Sequence, residues 1–219
     1  MRKIPTNLEN PIDNVIINMC EPIAKYFRTL HFNPNDITTL SLIFGILSLL
    51  FLYKSKPILA VACYFISYMF DCADGYYARK YRMCTKLGDL YDHIKDWTVN
   101  ITYGYILFTR NRHKLSTYGW ILVVLLFLFL LGMQALYFGA QERYYGKLEQ
   151  VPSLAWLGKL IKTKEQAKKV LSVTRFFGCG TFVVVVYCLH CGSNTKNKDF
   201  VCKISNKMKL KIKNENIEY

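Results

Sequence analysis

The sequence predicts an all-α fold, a polytopic transmembrane helix bundle of about five or six spans preceded by an amphipathic interfacial helix. Three observations carry this. Apolar residues, counting Tyr and Cys, make up 52% of the 219-residue chain, and charged residues only 20%. The apolar residues are gathered into blocks near the length a bilayer demands, about 20 residues. The basic residues fall between those blocks, where cationic side chains face anionic headgroups.

The elements follow in order. Over Leu8 to Leu30, Ile12, Val15, Ile16, Met19 and Ile23 recur at helical spacing, with Asp13, Asn14, Asn18, Glu21 and Lys25 between them. This reads as a helix lying in the membrane surface, or as one packed on the rest of the protein. Pro34 disfavours a helical Asn33, and Asn35 or Asp36 can cap the next helix. Ile37 to Tyr53 is then a first span, turned by Lys54, Lys56 and Pro57. A second runs from Ile58 to about Ala78, with Asp71 and Asp74 in its last turns. After a basic loop (Arg79, Lys80, Arg82, Lys86), a third runs from Leu87 or Asp89 to about Phe108 and carries Asp92 and Asp96 in its opening turns. The fourth is the clearest, Tyr118 to Phe138, with fourteen consecutive apolar or glycine residues from Trp120 to Met133. Gln141 to Lys169 is a basic, polar connection with one apolar patch, Leu154 to Leu160. Val170 to Leu189 is expected to be one more span, interrupted in composition by Arg175, Gly178 and Gly180. The lysine-rich tail from Ser193 onward reads as polar and disordered at its end.

The net charge is +14, from 29 basic and 15 acidic residues. In a chain this apolar, that charge points to lipid headgroups and anionic substrates rather than to nucleic acid. Among eight cysteines only Cys188 and Cys191 form a C-x-x-C pair, so a structural zinc site is not expected. Met1 to Asn10 lacks the apolar run of a signal peptide. With the N-terminus and the Arg79–Lys86 loop cytoplasmic, five spans would put the basic tail on the far side, against the positive-inside tendency. A sixth span or a re-entrant piece within Gln150 to Leu189 would resolve this.

Seven residues within 26 positions carry the chemistry: Asp71, Asp74, Gly75, Arg79, Gly88, Asp92 and Asp96. Asp71 and Asp74 share one helix face, and Asp92 and Asp96 share another. The short loop lets the two faces meet at one membrane depth. Intramembrane carboxylates are costly unless paired, hydrated or metal-bound, and two divalent cations would supply the missing charge. Carboxylates without histidine or thiol favour Mg2+ or Mn2+. Paired metals suit phosphoryl transfer, a fourth carboxylate can serve as base, Arg79 can pair with phosphate, and Gly75 and Gly88 permit close approach. The competing reading is that the aspartates cap helices or pair with the basic loop.

The run Asp71-Cys72-Ala73-Asp74-Gly75-Tyr76-Tyr77-Ala78-Arg79, then eight residues, Gly88, three residues, Asp92, three residues and Asp96, resembles the full signature of the CDP-alcohol phosphatidyltransferases. Pro34-Asn35 and Ile37-Thr38 resemble the segment before that family's first span. The resemblance implies that Asp71, Asp74 and Asp92 hold two metals, with Asp96 sharing in the cluster and acting as base. It implies that Gly75, Ala78, Arg79 and Gly88 sit near the cytidine nucleotide. It further implies a six-span core, a homodimer, an active site open to the cytoplasm, and attack by an acceptor hydroxyl on the CDP-linked phosphorus with release of CMP. On this division residues 1–32 form an N-terminal segment, 33–192 the family's transmembrane domain and 193–219 the polar tail.

The alcohol is read from less. Asp92-His93 resembles a pair common in the choline and ethanolamine phosphotransferase branch, and Trp97 stands where the phosphatidylinositol and phosphatidylglycerophosphate branches often carry Arg or Lys. Both favour CDP-choline or CDP-ethanolamine as donor and diacylglycerol as acceptor. The chain's shortness favours the alternative, CDP-diacylglycerol with inositol, serine or glycerol 3-phosphate; Arg175, an isolated charge in an apolar run, can help bind a second phosphate or inositol, or equally snorkel to the interface. A small transporter or a non-catalytic scaffold would explain charged spans but not the Gly–Arg–Asp spacing.

Overall fold

A computed structural model describes residues 2–114, 116–145, 159, 161–181 and 183. They form an all-α bundle: α1 (Pro11–Thr29), α2 (Pro34–Tyr53), α3 (Pro57–Lys80), α4 (Lys86–Asn111), α5 (Thr117–Tyr145) and α6 (Lys164–Thr174). The tail from residue 193 and, Lys159 apart, the apolar patch from Leu154 to Leu160 lie outside the described residues.

Helices α2 and α3 form an antiparallel hairpin, joined by a tight turn in which Ser55 has a positive φ of 56°. Small hydroxyl residues let the two backbones approach. Ser41 Oγ donates to Ser67 O at 2.8 Å, Ser67 Oγ to Ser41 O at 2.7 Å, and Ser48 Oγ to Ala60 O at 2.7 Å. Such hydroxyls satisfy themselves on backbone carbonyls where no water is at hand. The first span begins a turn earlier than expected. Asn33, extended, is the capping residue, and Pro34 takes the first helical position where its missing N–H costs nothing. Asp36 Oδ2 accepts from Asn33 N at 2.7 Å.

Helix α4 runs parallel to α2, because contacts climb both helices together, from Asn35 beside Gly88 to Gly45 beside Val99. A Cβ on Gly45 would stand 2.8 Å from Val99 Cγ2, so the crossing requires glycine there. Helix α1 buries Ile16, Cys20, Ala24 and Phe27 against Ala73, Tyr76 and Tyr77 of α3. Of its two expected settings, packing on the protein is the one described, and no interfacial helix stands out from it. Val15, Met19 and Tyr26 remain exposed on its other side.

Three described helices, α2, α3 and α5, are long and apolar enough to cross a membrane, against the five or six expected. This is the arrangement of an integral, multi-pass membrane protein. Helix α4 is long enough, but Asp89, Asp92, Lys95 and Asp96 reduce its apolarity. The expected span from Val170 to Leu189 is not one helix. Thr163 Oγ1 caps α6 through Gln166 N at 3.1 Å, and α6 ends at Thr174 in a 3-10 turn, Arg175–Phe177. Gly178 is then extended before helix resumes at Cys179. The break is fixed from outside: Asn10 Nδ2 donates to Arg175 O at 2.6 Å and to Thr181 Oγ1 at 2.8 Å. Arg175, considered from sequence as a phosphate ligand, donates from Nη1 to Asn7 O at 2.5 Å.

Candidate active site

Helix α3 delivers Asp71 and Asp74 from its last turns, and α4 delivers Asp92 and Asp96 from its first turns. Because the connecting loop is short, the two pairs meet. One carboxylate oxygen from each of Asp71, Asp74 and Asp92 lies within 4.8 Å of the others. Asp74 is the deepest, only 5% exposed, and Thr38 Oγ1 of α2 donates to its Oδ2 at 2.6 Å. The side chain of Asp96 is 43% exposed and is the most open of the four. A base must reach a substrate proton, and of these carboxylates Asp96 has the most room to do so.

One residue at the centre was absent from the sequence reading. Lys95, 3% exposed, brings its ammonium into the cluster. Nζ pairs with Asp71 Oδ1, lies 3.0 Å from Asp92 Oδ1 and 2.9 Å from Asp96 Oδ1, and donates to Ser41 Oγ at 3.2 Å. The signal was present: Lys95 is three residues after Asp92 and therefore shares its face. The roles of Thr38 and Ser41 had no comparable signal, since they depend on how α2 sits against α3 and α4.

The residues implied in nucleotide binding occupy the flanks. Arg79 lies one turn beyond Gly75, and a Cβ on Gly75 would stand 3.1 Å from Arg79 Nη1, so the guanidinium lies along that glycine. Gly88 has a packing reason of its own. A Cβ there would meet Asn35 Oδ1 at 2.9 Å and Thr85 Oγ1 at 3.0 Å. Ala78 is half-buried on α3. His93 is held by its own helix, with Nδ1 2.7 Å from Asp89 O.

The donor set fits an oxygen-liganded divalent cation. All the ligands are carboxylates, the single ammonium leaves negative charge in excess, and the buried Asp92 Oδ1 makes no hydrogen bond despite its nearness to Lys95. Cys72, the only thiol within the motif, packs against the core between α1 and α3, and the converging group is made of aspartates.

No curated protein and no solved structure matches this chain. The family model for CDP-alcohol phosphatidyltransferase matches residues 31–191, which takes in α2 through α6 and every aspartate of the cluster. That span is well over half the chain, and with the carboxylates converging from the two helices the motif occupies, the chain belongs to the CDP-alcohol phosphatidyltransferase family.

Proposed function

We propose that this enzyme transfers phosphocholine or phosphoethanolamine from its CDP-linked donor to diacylglycerol, with release of CMP, at the aspartate cluster. The observation that supports the reaction centre is the meeting of Asp71, Asp74 and Asp92 from two helices around one point. His93 after Asp92 and Trp97 after Asp96 support the choice of alcohol, through their resemblance to that branch.

In this reading Asp71, Asp74 and Asp92 hold Mg2+ or Mn2+, and Asp96 borders the same cluster; the resemblance implies two such ions. Bound there, a divalent cation supplies charge that offsets the diphosphate and the departing CMP. Asp96 accepts the proton of the diacylglycerol hydroxyl as its oxygen bonds to the donor phosphorus and the bond from phosphorus to the CMP oxygen breaks. Thr38 fixes the rotamer of Asp74. Arg79 pairs with the diphosphate, while Gly75, Ala78 and Gly88 let the nucleotide approach the two helices. Helix α4 crosses the membrane too, with its charges turned toward α2 and α3, and further spans complete a bundle of five or six. Helix α1 lies at the cytoplasmic interface on the side where the site opens, and the protein works as a homodimer.

The test is a donor–acceptor matrix on the full chain in lipid nanodiscs with Mn2+ or Mg2+, reading CMP and lipid product by mass spectrometry. CDP-choline or CDP-ethanolamine with diacylglycerol should give product. Product only from CDP-diacylglycerol with inositol, serine or glycerol 3-phosphate would move the enzyme to the other branch. Vesicle flux without CMP release would replace the enzymatic reading with a transporter.

A further inference from the structure

Lys95 does more than neutralise. Its ammonium lies among Asp71, Asp92 and Asp96, with 3.0 Å and 2.9 Å to the last two, and Ser41 Oγ closes its fourth side at 3.2 Å. That is the coordination of a cation by convergent oxygens, provided by a side chain of the protein itself. The side chain is 2% exposed, so its whole stem is packed inside the bundle. A divalent ion binding the same three carboxylates would need oxygens at roughly 2.0–2.2 Å. It could not share that centre with the ammonium. The other group, Asp71, Asp74 and Asp92, remains as a place for an ion, and Asp74 is not among the carboxylates that Lys95 pairs with.

We infer that this enzyme holds one divalent cation, on Asp71, Asp74 and Asp92, and that the ammonium of Lys95 takes the place of the second. The inference rests on the reading of the aspartates as a metal centre. It makes Lys95 a positioning residue: it draws Asp71, Asp92 and Asp96 together across the α3–α4 gap and gives Asp96 a fixed orientation. It also confines divalent coordination to the deeper end of the cluster, next to Asp74 and Thr38.

The experiment is a Mn2+ titration of the full chain in nanodiscs of uncharged lipid, followed by calorimetry and by electron paramagnetic resonance. The Asp71→Asn/Asp74→Asn double variant serves as the blank. The native enzyme should take up one Mn2+ per chain above the blank, with the six-line spectrum of an isolated ion. Lys95→Met, which keeps the stem and removes the charge, should take up two, with the broadened spectrum of a close pair. Lys95→Arg should stay at one. Two ions in the native enzyme, or one in a folded Lys95→Met, would overturn the inference and leave the metal-centre reading standing. No uptake above the blank in the native enzyme would instead remove that reading, and the inference with it. Should Lys95→Met not fold, Lys95→Gln takes its role, and the native count still decides against the inference if it is two.

Discussion

Two regions of this protein bury charge, and they do so in opposite ways. In the first, four carboxylates on α3 and α4 face one ammonium. In the second, the N-terminal segment meets the end of α5. Glu142, 2% exposed, pairs with Lys3, and Glu9 accepts from Tyr137 OH, from Asn10 N at 3.1 Å and from Gln141 Nε2 at 3.4 Å. The second region is better matched: Glu142 has an ammonium beside it, and one oxygen of Glu9 has three donors within the chain. The first is short of positive charge. A buried polar cluster that is satisfied holds a fold together, whereas one left with excess charge is built for something that arrives from outside. Both motifs look alike in composition, as acids in apolar surroundings, and only the accounting of partners separates them.

The largest consequence falls on the charge-deficient cluster. Asp96→Asn should lower turnover by roughly 10²–10⁴-fold, the range for loss of a general base, while Mn2+ uptake and folding persist. Retained turnover would end its assignment as base. Asp74→Asn should abolish Mn2+ uptake and turnover, yet leave the metal-free protein at least as resistant to heat, because it relieves repulsion among like charges. Adding Mn2+ should raise the melting midpoint of the native enzyme by linkage and leave that of Asp74→Asn unmoved. A shared metal-induced shift would show that the ion binds elsewhere.

Glu142→Ala should behave in the reverse sense. It strands Lys3, which is partly solvated at 21% exposure, so a loss of about 2 kcal/mol of stability is expected, below the range for fully buried pairs. Turnover per folded molecule should not change. Gly180→Ala acts on the same junction by crowding, since its Cβ would stand 2.1 Å from Asp13 Oδ1 and 2.9 Å from Ile12 Cβ. A loss of about 1–3 kcal/mol, as for overpacked cores, should appear in chemical unfolding. An unchanged midpoint would mean that the 178–181 segment moves aside freely.

The smallest effect is one of pH. Burial pushes the carboxyl of Asp13 up to about 6, only partly opposed by the hydrogen bond from Tyr68 OH at 2.5 Å. Between the ordinary carboxylate value near 4 and that raised value, the folded state binds more protons than the unfolded one. Stability contributed here is therefore greatest below about pH 4 and falls as pH rises to about 6, then levels. Asp13→Asn should flatten this part of the melting profile, and an unaltered slope would place its origin elsewhere.

What the sequence disclosed follows the range of the interactions concerned. Helices α2, α3, α4 and α5 were legible because apolar blocks and the turn residues Pro34 and Pro57 are local signals, and the four aspartates because their spacing sets them on shared helix faces. Lys95 was legible in principle at the same spacing, but a search for metal ligands passes over a cation. Thr38 and Ser41 were not, for helix register across the α2–α3 and α2–α4 contacts is set by packing. The break after Thr174 was announced by Arg175, Gly178 and Gly180, yet its cause, Asn10, lies 165 residues away from Arg175 in sequence. The pairing of Glu9 with Tyr137 spans 128 residues and left no mark in either segment alone.

The most direct test of the contrast is Mn2+-dependent CMP release, normalised to folded protein, for the native enzyme, Asp74→Asn and Glu142→Ala side by side. Native-like release from Glu142→Ala with none from Asp74→Asn is the predicted result. Release from Asp74→Asn, or equal loss in both variants, would contradict the assignment of catalysis to the charge-deficient cluster.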